Sequence, residues 1–202
     1  MRIIRRFLLS LLLCLYGNSF AVGDPHAGEA KALTCNACHG AHGVSVQPLW
    51  PNLAGQHASY LLQQLKLYQE GKARKNPMMS PMVGTLSAQD MEDLAAFYAK
   101  QPVAPAKTEK ADRALGEHLY RLGDNSKQIP ACIACHGPDG RGAAHAGFPM
   151  ISHQQSDYLI QQLQAFKTAE RTSDPMQIMR SISSKLSDKE MQAVGHYLET
   201  LE

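Results

Sequence analysis

Apolar residues recur at helical spacing in two matched sets along this chain, and no stretch alternates convincingly as a strand would. An Ala-rich run over residues 27–37 leads into one cysteine pair, and a second amphipathic run over 112–122 leads into another. Residues 59–71 place Leu61, Leu62, Leu65 and Tyr68 on one face; residues 156–169 do the same with Leu159, Ile160, Leu163 and Phe166. A third pair of helices is predicted after Ser87 and Ser187. Ser87-Ala-Gln-Asp90 resembles a capping box and Ser187-Asp-Lys-Glu190 is one by sequence. Met91, Leu94, Ala95 and Tyr98 follow the first cap, and Met191, Val194, Tyr197 and Leu198 the second. The chain is therefore expected to be all-α, with three helices per half.

The halves repeat in detail. Cys35-Asn36-Ala37-Cys38-His39 returns as Cys132-Ile133-Ala134-Cys135-His136, an offset of 97. Tyr60-Leu-Leu-Gln-Gln-Leu65 returns as Tyr158-Leu-Ile-Gln-Gln-Leu163, an offset of 98, and Leu86-Ser87 as Leu186-Ser187, an offset of 100. Near-constant offsets over separated blocks indicate duplication of a whole domain, with a period too long for a solenoid unit. The Pro-, Ala- and charge-rich residues 102–111 read as a linker between domains over 22–101 and 112–202.

Before the first domain, residues 1–21 read as a cleaved signal peptide. Arg2, Arg5 and Arg6 precede an apolar run from Phe7 to Tyr16, and Ser19-Phe20-Ala21 offers a cleavage site. The run is too short for a membrane span. Cleavage changes the composition tellingly. The full chain of 202 residues has five cysteines and a formal charge of +2; without 1–21 it has four cysteines and a charge of −1. A near-neutral exported chain is no dedicated nucleic-acid binder. With 44% hydrophobic and 19% charged residues it is not disordered either.

Cys-x-x-Cys-His is the attachment sequence of c-type haem: two thiols bond to the porphyrin edge and the adjacent His reaches the iron. A CxxC redox pair would need a βαβ context, which is absent. One zinc site built from all four cysteines would need the pairs close together, yet a whole helical unit separates them. Two covalent haem c groups are therefore expected, on Cys35 and Cys38 with His39, and on Cys132 and Cys135 with His136. Each would also fill the thin core of a small three-helix domain. A low-spin carrier needs a sixth ligand, usually Met or His. Counting back seven residues from Leu86 and Leu186 reaches Met79 and Met179, a Met pair in register. Met82 and Met176 are the alternatives in the same segments, and gap-filling in the core is the ordinary role of Met. Pro51 and Pro149 stand 12 and 13 residues after their histidines. Each could set a carbonyl that accepts the imidazole Nδ1–H, or simply make a turn.

With both CxxCH sites, Pro51-Asn-Leu-Ala-Gly-Gln56, Pro149-Met-Ile-Ser-His-Gln154 and residues 179–187 in view, the chain resembles the di-haem cytochrome c4 family across residues 24–201. The resemblance implies two tandem cytochrome c-like domains related by pseudo-two-fold symmetry. Each would hold one His/Met haem, with Pro51 and Pro149 supplying the carbonyls beside His39 and His136. It also implies a periplasmic monomer, soluble or loosely attached to the inner membrane, that passes electrons from a respiratory donor toward a terminal oxidase. One departure stands out: the segment from Gly71 to Met79 is short and carries Lys72, Arg74 and Lys75. Two rival functions are an electron-accepting subunit of a flavocytochrome-type dehydrogenase and a di-haem peroxidase. The peroxidase would require an exchangeable iron position.

Overall fold

A computed structural model describes residues 23–106 and 113–201. The expected signal peptide, the second half of the linker, and Asp112 at the expected start of the second domain lie outside the described residues.

Ten α-helices occur among the described residues, with no strand and two isolated antiparallel bridges. The first domain contains α1 (Pro25–Lys31), α2 (Asn36–His39), α3 (Ala58–Glu70), α4 (Met79–Val83) and α5 (Ala88–Ala99). The second contains α6 (Arg113–Leu122), α7 (Ile133–His136), α8 (Ser156–Lys167), α9 (Ile178–Ser183) and α10 (Asp188–Glu199). α3, α5, α6, α8 and α10 follow the apolar periodicity. α2, α4, α7 and α9 do not: at four to six residues they are too short to display a periodic face. The predicted continuous run over 27–37 is instead broken. α1 ends at Lys31, and a 3-10 turn over Ala32–Thr34 redirects the chain into α2.

Within each domain the first and last helices cross closely. Gly28 on α1 faces the Asp93 carbonyl of α5, and Gly116 on α6 faces the Ala193 carbonyl of α10. A Cβ at either glycine would lie only 2.1 or 2.2 Å from those oxygens. The backbones can therefore meet only where no side chain intervenes. Behind these crossings lie two cores. Ala32, Leu61, Leu94, Ala95, Phe97 and Tyr98 form the first. The second is larger, with Leu119, Tyr120, Leu159, Met191, Val194, Tyr197 and Leu198 among its members.

Both capping boxes form. Ser87 Oγ accepts from Asp90 N while Asp90 Oδ2 accepts from Ser87 N at 2.9 Å; Ser187 and Glu190 do the same, with Glu190 Oε2 2.8 Å from Ser187 N. Each cap carboxylate also receives a lysine. Lys31 Nζ lies 3.0 Å from Asp90 and Lys127 Nζ 2.7 Å from Glu190, although the two lysines are not repeat equivalents. The expected linker packs at its start: Ala104 is buried, and Val103 lies against Gly55.

Two predictions concern stability. Gly28→Ala and Gly116→Ala should each destabilise the haem-loaded protein by about 1–3 kcal/mol, because the crossing helices must separate; guanidinium unfolding midpoints measure this. The second concerns acid. The hydrogen bonds from Ser87, and then the Lys31 ammonium, hold the Asp90 carboxyl down at about 2. Burial opposes the charged form of Glu190, but Lys127 and Ser187 outweigh it and lower that carboxyl too. Since folded values lie below unfolded ones, this stabilisation is complete above the ordinary carboxylate range and lost as pH falls through the folded values. Asp90→Asn and Glu190→Gln should therefore be less stable than the parent at pH 7. The deficit should shrink on acidification toward pH 2, as read by thermal unfolding across that range.

Candidate haem sites and the seam between the domains

Each CxxCH sequence folds as one short helical turn. His39 N donates to the Cys35 carbonyl at 2.9 Å and His136 N to the Cys132 carbonyl at 3.0 Å. This turn sets two thiols and an imidazole side by side. None of these four cysteines is in a disulfide, and both histidines are buried. Among the described residues no group of three or more His, Cys, Asp or Glu could hold a metal ion, so the four cysteines do not converge on a zinc site.

Both imidazoles meet the expected prolines. His39 Nδ1 lies 2.9 Å from the Pro51 carbonyl oxygen, and His136 Nδ1 lies 3.0 Å from that of Pro149. With Nδ1–H donated to a carbonyl, Nε2 is left with its lone pair free to act as a ligand. Burial lowers both imidazoles below the ordinary histidine value, with the carbonyl contact opposing, which keeps them neutral at physiological pH.

The carbonyls are held from two directions. The Gly43 carbonyl accepts from Leu53 N and Ala54 N at 2.7 and 3.1 Å, and the Gly140 carbonyl accepts from Ile151 N and Ser152 N at the same two distances. Gly43 and Gly140 have φ of 79° and 69°, a left-handed conformation that glycine adopts without strain. The second hold comes from the opposite domain. Gln154 Oε1 accepts from Asn52 N at 2.7 Å, and its Nε2 donates to the Asn52 carbonyl at 2.9 Å. Reciprocally, Gln56 Oε1 accepts from Met150 N at 3.0 Å, and its Nε2 donates to the Met150 carbonyl at 2.8 Å. Each glutamine thus grips the residue that follows the other domain's proline, across a pseudo-two-fold axis.

The methionines separate by exposure. Met79 opens α4 and Met179 lies in α9, both partly buried, whereas Met82 is 48% exposed and Met176 87%. Asn76 Oδ1 anchors the first segment by accepting from Met79 N at 3.0 Å. In the second, Asp174 accepts from Arg180 N at 2.9 Å and from Arg180 Nε at 2.7 Å. The second segment is also longer, and Met176 and Gln177 absorb the extra length at φ of 51° and 61°.

The donor set and its surroundings suit covalent haem. Paired thiols, a neutral imidazole with a free nitrogen, and partly buried apolar side chains lie together. Cys35 packs with Leu53, Leu62, Leu65 and Leu86 against the first core; Cys132 packs with Ile133, Ile151, Leu163 and Ile182 against the second. The family model for cytochrome c matches residues 27–101 and 114–202, one match per domain. The chain belongs to the cytochrome c family. It is 46% identical to cytochrome c4 of Thiocapsa roseopersicina, over 89% of this chain and 94% of that one. It superposes on the crystal structure of reduced recombinant cytochrome c4 from Pseudomonas stutzeri with a TM-score of 0.86 at 39% identity, covering 89% of this chain and 100% of that one. It is also 39% identical to the thiosulfate dehydrogenase electron acceptor of Thiomonas intermedia, over 85% of this chain and 80% of that protein.

The chain is thus a di-haem electron-transfer cytochrome of the cytochrome c4 family, a carrier and not an enzyme, with two covalently bound haem c groups. Sequence reasoning passed over Gln56 and Gln154 as site residues. Their signal was present in the repeat, where the two match at an offset of 98.

In this cytochrome, Gln56→Ala and Gln154→Ala each strip partners from a buried N–H and C=O, at a cost of about 1–3 kcal/mol. Each substitution should lower the denaturation midpoint. The double variant should lose less than the sum of the two if the glutamines act as one clamp; a double-mutant cycle measures the coupling.

Proposed function

We propose that this cytochrome carries electrons in the periplasm from a respiratory donor toward a terminal oxidase or another respiratory acceptor. Cys35 and Cys38, and Cys132 and Cys135, would hold the two porphyrins covalently. His39 and His136 would be the proximal ligands, and Met79 and Met179 the distal ones. The observation that carries this reading is the matched pair of contacts at 2.9 and 3.0 Å from His Nδ1 to a proline carbonyl. It turns each Nε2 into a fixed, neutral donor.

When bound, haem supplies one-electron chemistry at iron, between ferric and ferrous states. The remaining work belongs to the chain. The prolines orient the imidazoles and raise their basicity as ligands. The apolar side chains beside the cysteines keep water from the site and, with an axial Met, favour the less charged ferrous state. Partly buried Met79 and Met179, in contrast to exposed Met82 and Met176, support the ligand assignment. Export by residues 1–21 would place the chain where c-type carriers meet their partners. Among the described residues no helix is long and apolar enough to cross a membrane, which fits a soluble carrier or one loosely held at the inner membrane.

The likeness to a thiosulfate dehydrogenase electron acceptor supports a second reading, a carrier dedicated to one dehydrogenase. Reoxidation of the reduced protein by oxidase-bearing membranes separates the two. Turnover with those membranes is expected for the general carrier, and reduction by a single dehydrogenase without such turnover for the dedicated one.

The purified exported protein should begin near Val22 and carry two haems by intact mass. Its ferric spectrum should be low-spin, with the weak sulfur-to-iron band at the red edge of the visible range. Met79→Ala or Met179→Ala should remove about half of that band and lower the potential of one haem. An unchanged band would transfer the ligand role to Met82 or Met176. A five-coordinate, high-spin ferric signal in the parent protein would overturn the carrier assignment.

A further inference from the structure

The peptide unit that follows each of the two prolines is hydrogen-bonded at both ends. In the first domain the Pro51 carbonyl faces His39 Nδ1 at 2.9 Å, and the N–H of the same peptide, on Asn52, donates to Gln154 Oε1 at 2.7 Å. In the second the Pro149 carbonyl faces His136 Nδ1 at 3.0 Å, and the N–H of Met150 donates to Gln56 Oε1 at 3.0 Å. Both peptides are trans, so the C=O and N–H point in opposite directions across one resonant plane. His39, the Pro51–Asn52 peptide and Gln154 therefore make one continuous hydrogen-bonded chain, and His136, the Pro149–Met150 peptide and Gln56 make its mate. Each chain starts on an imidazole of one domain and ends on a side-chain amide of the other.

The terminal amides are fixed with oxygen toward the peptide N–H. Gln154 Nε2 donates to the Asn52 carbonyl at 2.9 Å, and Gln56 Nε2 to the Met150 carbonyl at 2.8 Å. Each Oε1 also accepts from the next N–H of its own domain, that of Gln155 at 3.1 Å and that of His57 at 3.0 Å. A flipped amide would oppose donor to donor and acceptor to acceptor. Both glutamines are buried, as are Asn52 and Met150. The seam does not depend on them alone. Buried Arg74 donates to Tyr158 Oη at 2.7 Å and buried Arg171 to Tyr60 Oη at 2.9 Å, and the Thr172 N–H donates to the Ala73 carbonyl at 2.8 Å.

Hydrogen bonds linked in series polarise one another, and more so away from water. An acceptor on the peptide N–H draws electron density onto the carbonyl oxygen at the other end. That oxygen then pulls harder on the imidazole Nδ1–H, and Nε2 becomes a stronger donor. A stronger donor to iron favours the ferric state, which bears one more positive charge than the ferrous state.

We infer that Gln154 lowers the potential of the haem in the first domain and Gln56 that of the haem in the second, each as a positioning residue acting through the peptide beside the opposite proline. This rests on the proposed ligation by His39 and His136 and goes beyond it, because it assigns control of each potential to a side chain of the other domain.

Spectroelectrochemical titration of the two-haem protein with Gln56→Met and Gln154→Met tests the crossed pattern. Methionine keeps the length of the side chain and lacks both polar atoms. Met79→Ala and Met179→Ala, each of which lowers one midpoint, label the haems. Gln154→Met should raise the midpoint of the first-domain haem alone, and Gln56→Met that of the second-domain haem alone. At fixed potential the ferric-to-ferrous ratio of the affected haem should fall about threefold, or about 28 mV for one electron. Gln56→Asn and Gln154→Asn withdraw the amide by one methylene and should give the same crossed pattern where a Met variant fails to accumulate. A shift at the glutamine's own haem would overturn the inference. So would equal shifts at both haems, the mark of a loosened seam, or no shift at either with both still low-spin. Haem content and the ferric spectrum of the parent keep the two readings apart, because a parent without two low-spin haems would count against the proposed function instead.

Discussion

The contact between a buried imidazole and a proline carbonyl is the constraint on which the rest of this cytochrome depends. One hydrogen bond at His39 and one at His136 decide which ring nitrogen keeps a free lone pair and in which direction it points. Such a bond orients only as well as its acceptor is held. The fold holds each acceptor twice, from within the domain by the carbonyl of a left-handed glycine and from outside by the other domain's glutamine. The orientation of the imidazole in one half is thereby tied to docking of the other, although the halves share no helix among the described residues.

Several identical repeat pairs meet at this seam. Gln56 and Gln154, Tyr60 and Tyr158, Gln64 and Gln162, and Arg74 and Arg171 are identical pairs gathered along the pseudo-two-fold axis. A residue beside such an axis works together with its own repeat mate, so both copies serve one structure. Away from the axis the halves have diverged. Lys31 and Lys127 reach equivalent cap carboxylates from unrelated positions, and the second Met segment carries extra residues at positive φ.

Much of the site was legible in the sequence because its chemistry is local. Cys-x-x-Cys-His sets two thiols and an imidazole on one helical turn wherever it occurs, and a capping box closes within four residues. Both caps formed as their spacing predicts. The short helices around His39, Met79, His136 and Met179 were not legible, because four to six residues cannot show a periodic face. Arg74 read as one of several charges in a polar loop for a related reason. Composition reports what a side chain is and not what will surround it: Arg74 is buried between Gln64 and Tyr68 of its own α3 and Tyr158 and Gln162 of α8, which arrives from the other domain.

The sequence by itself thus determined the duplication, the helical class, the paired thiols with their histidines, and the repeat register that singles out one methionine in each half. These follow from spacing along the chain. The tertiary structure decided how the halves face each other, which side chains grip the loops after Pro51 and Pro149, and that two cations lie together away from water. Those outcomes depend on contacts between residues roughly a hundred positions apart, and their energies exist only once both domains have folded and closed on each other.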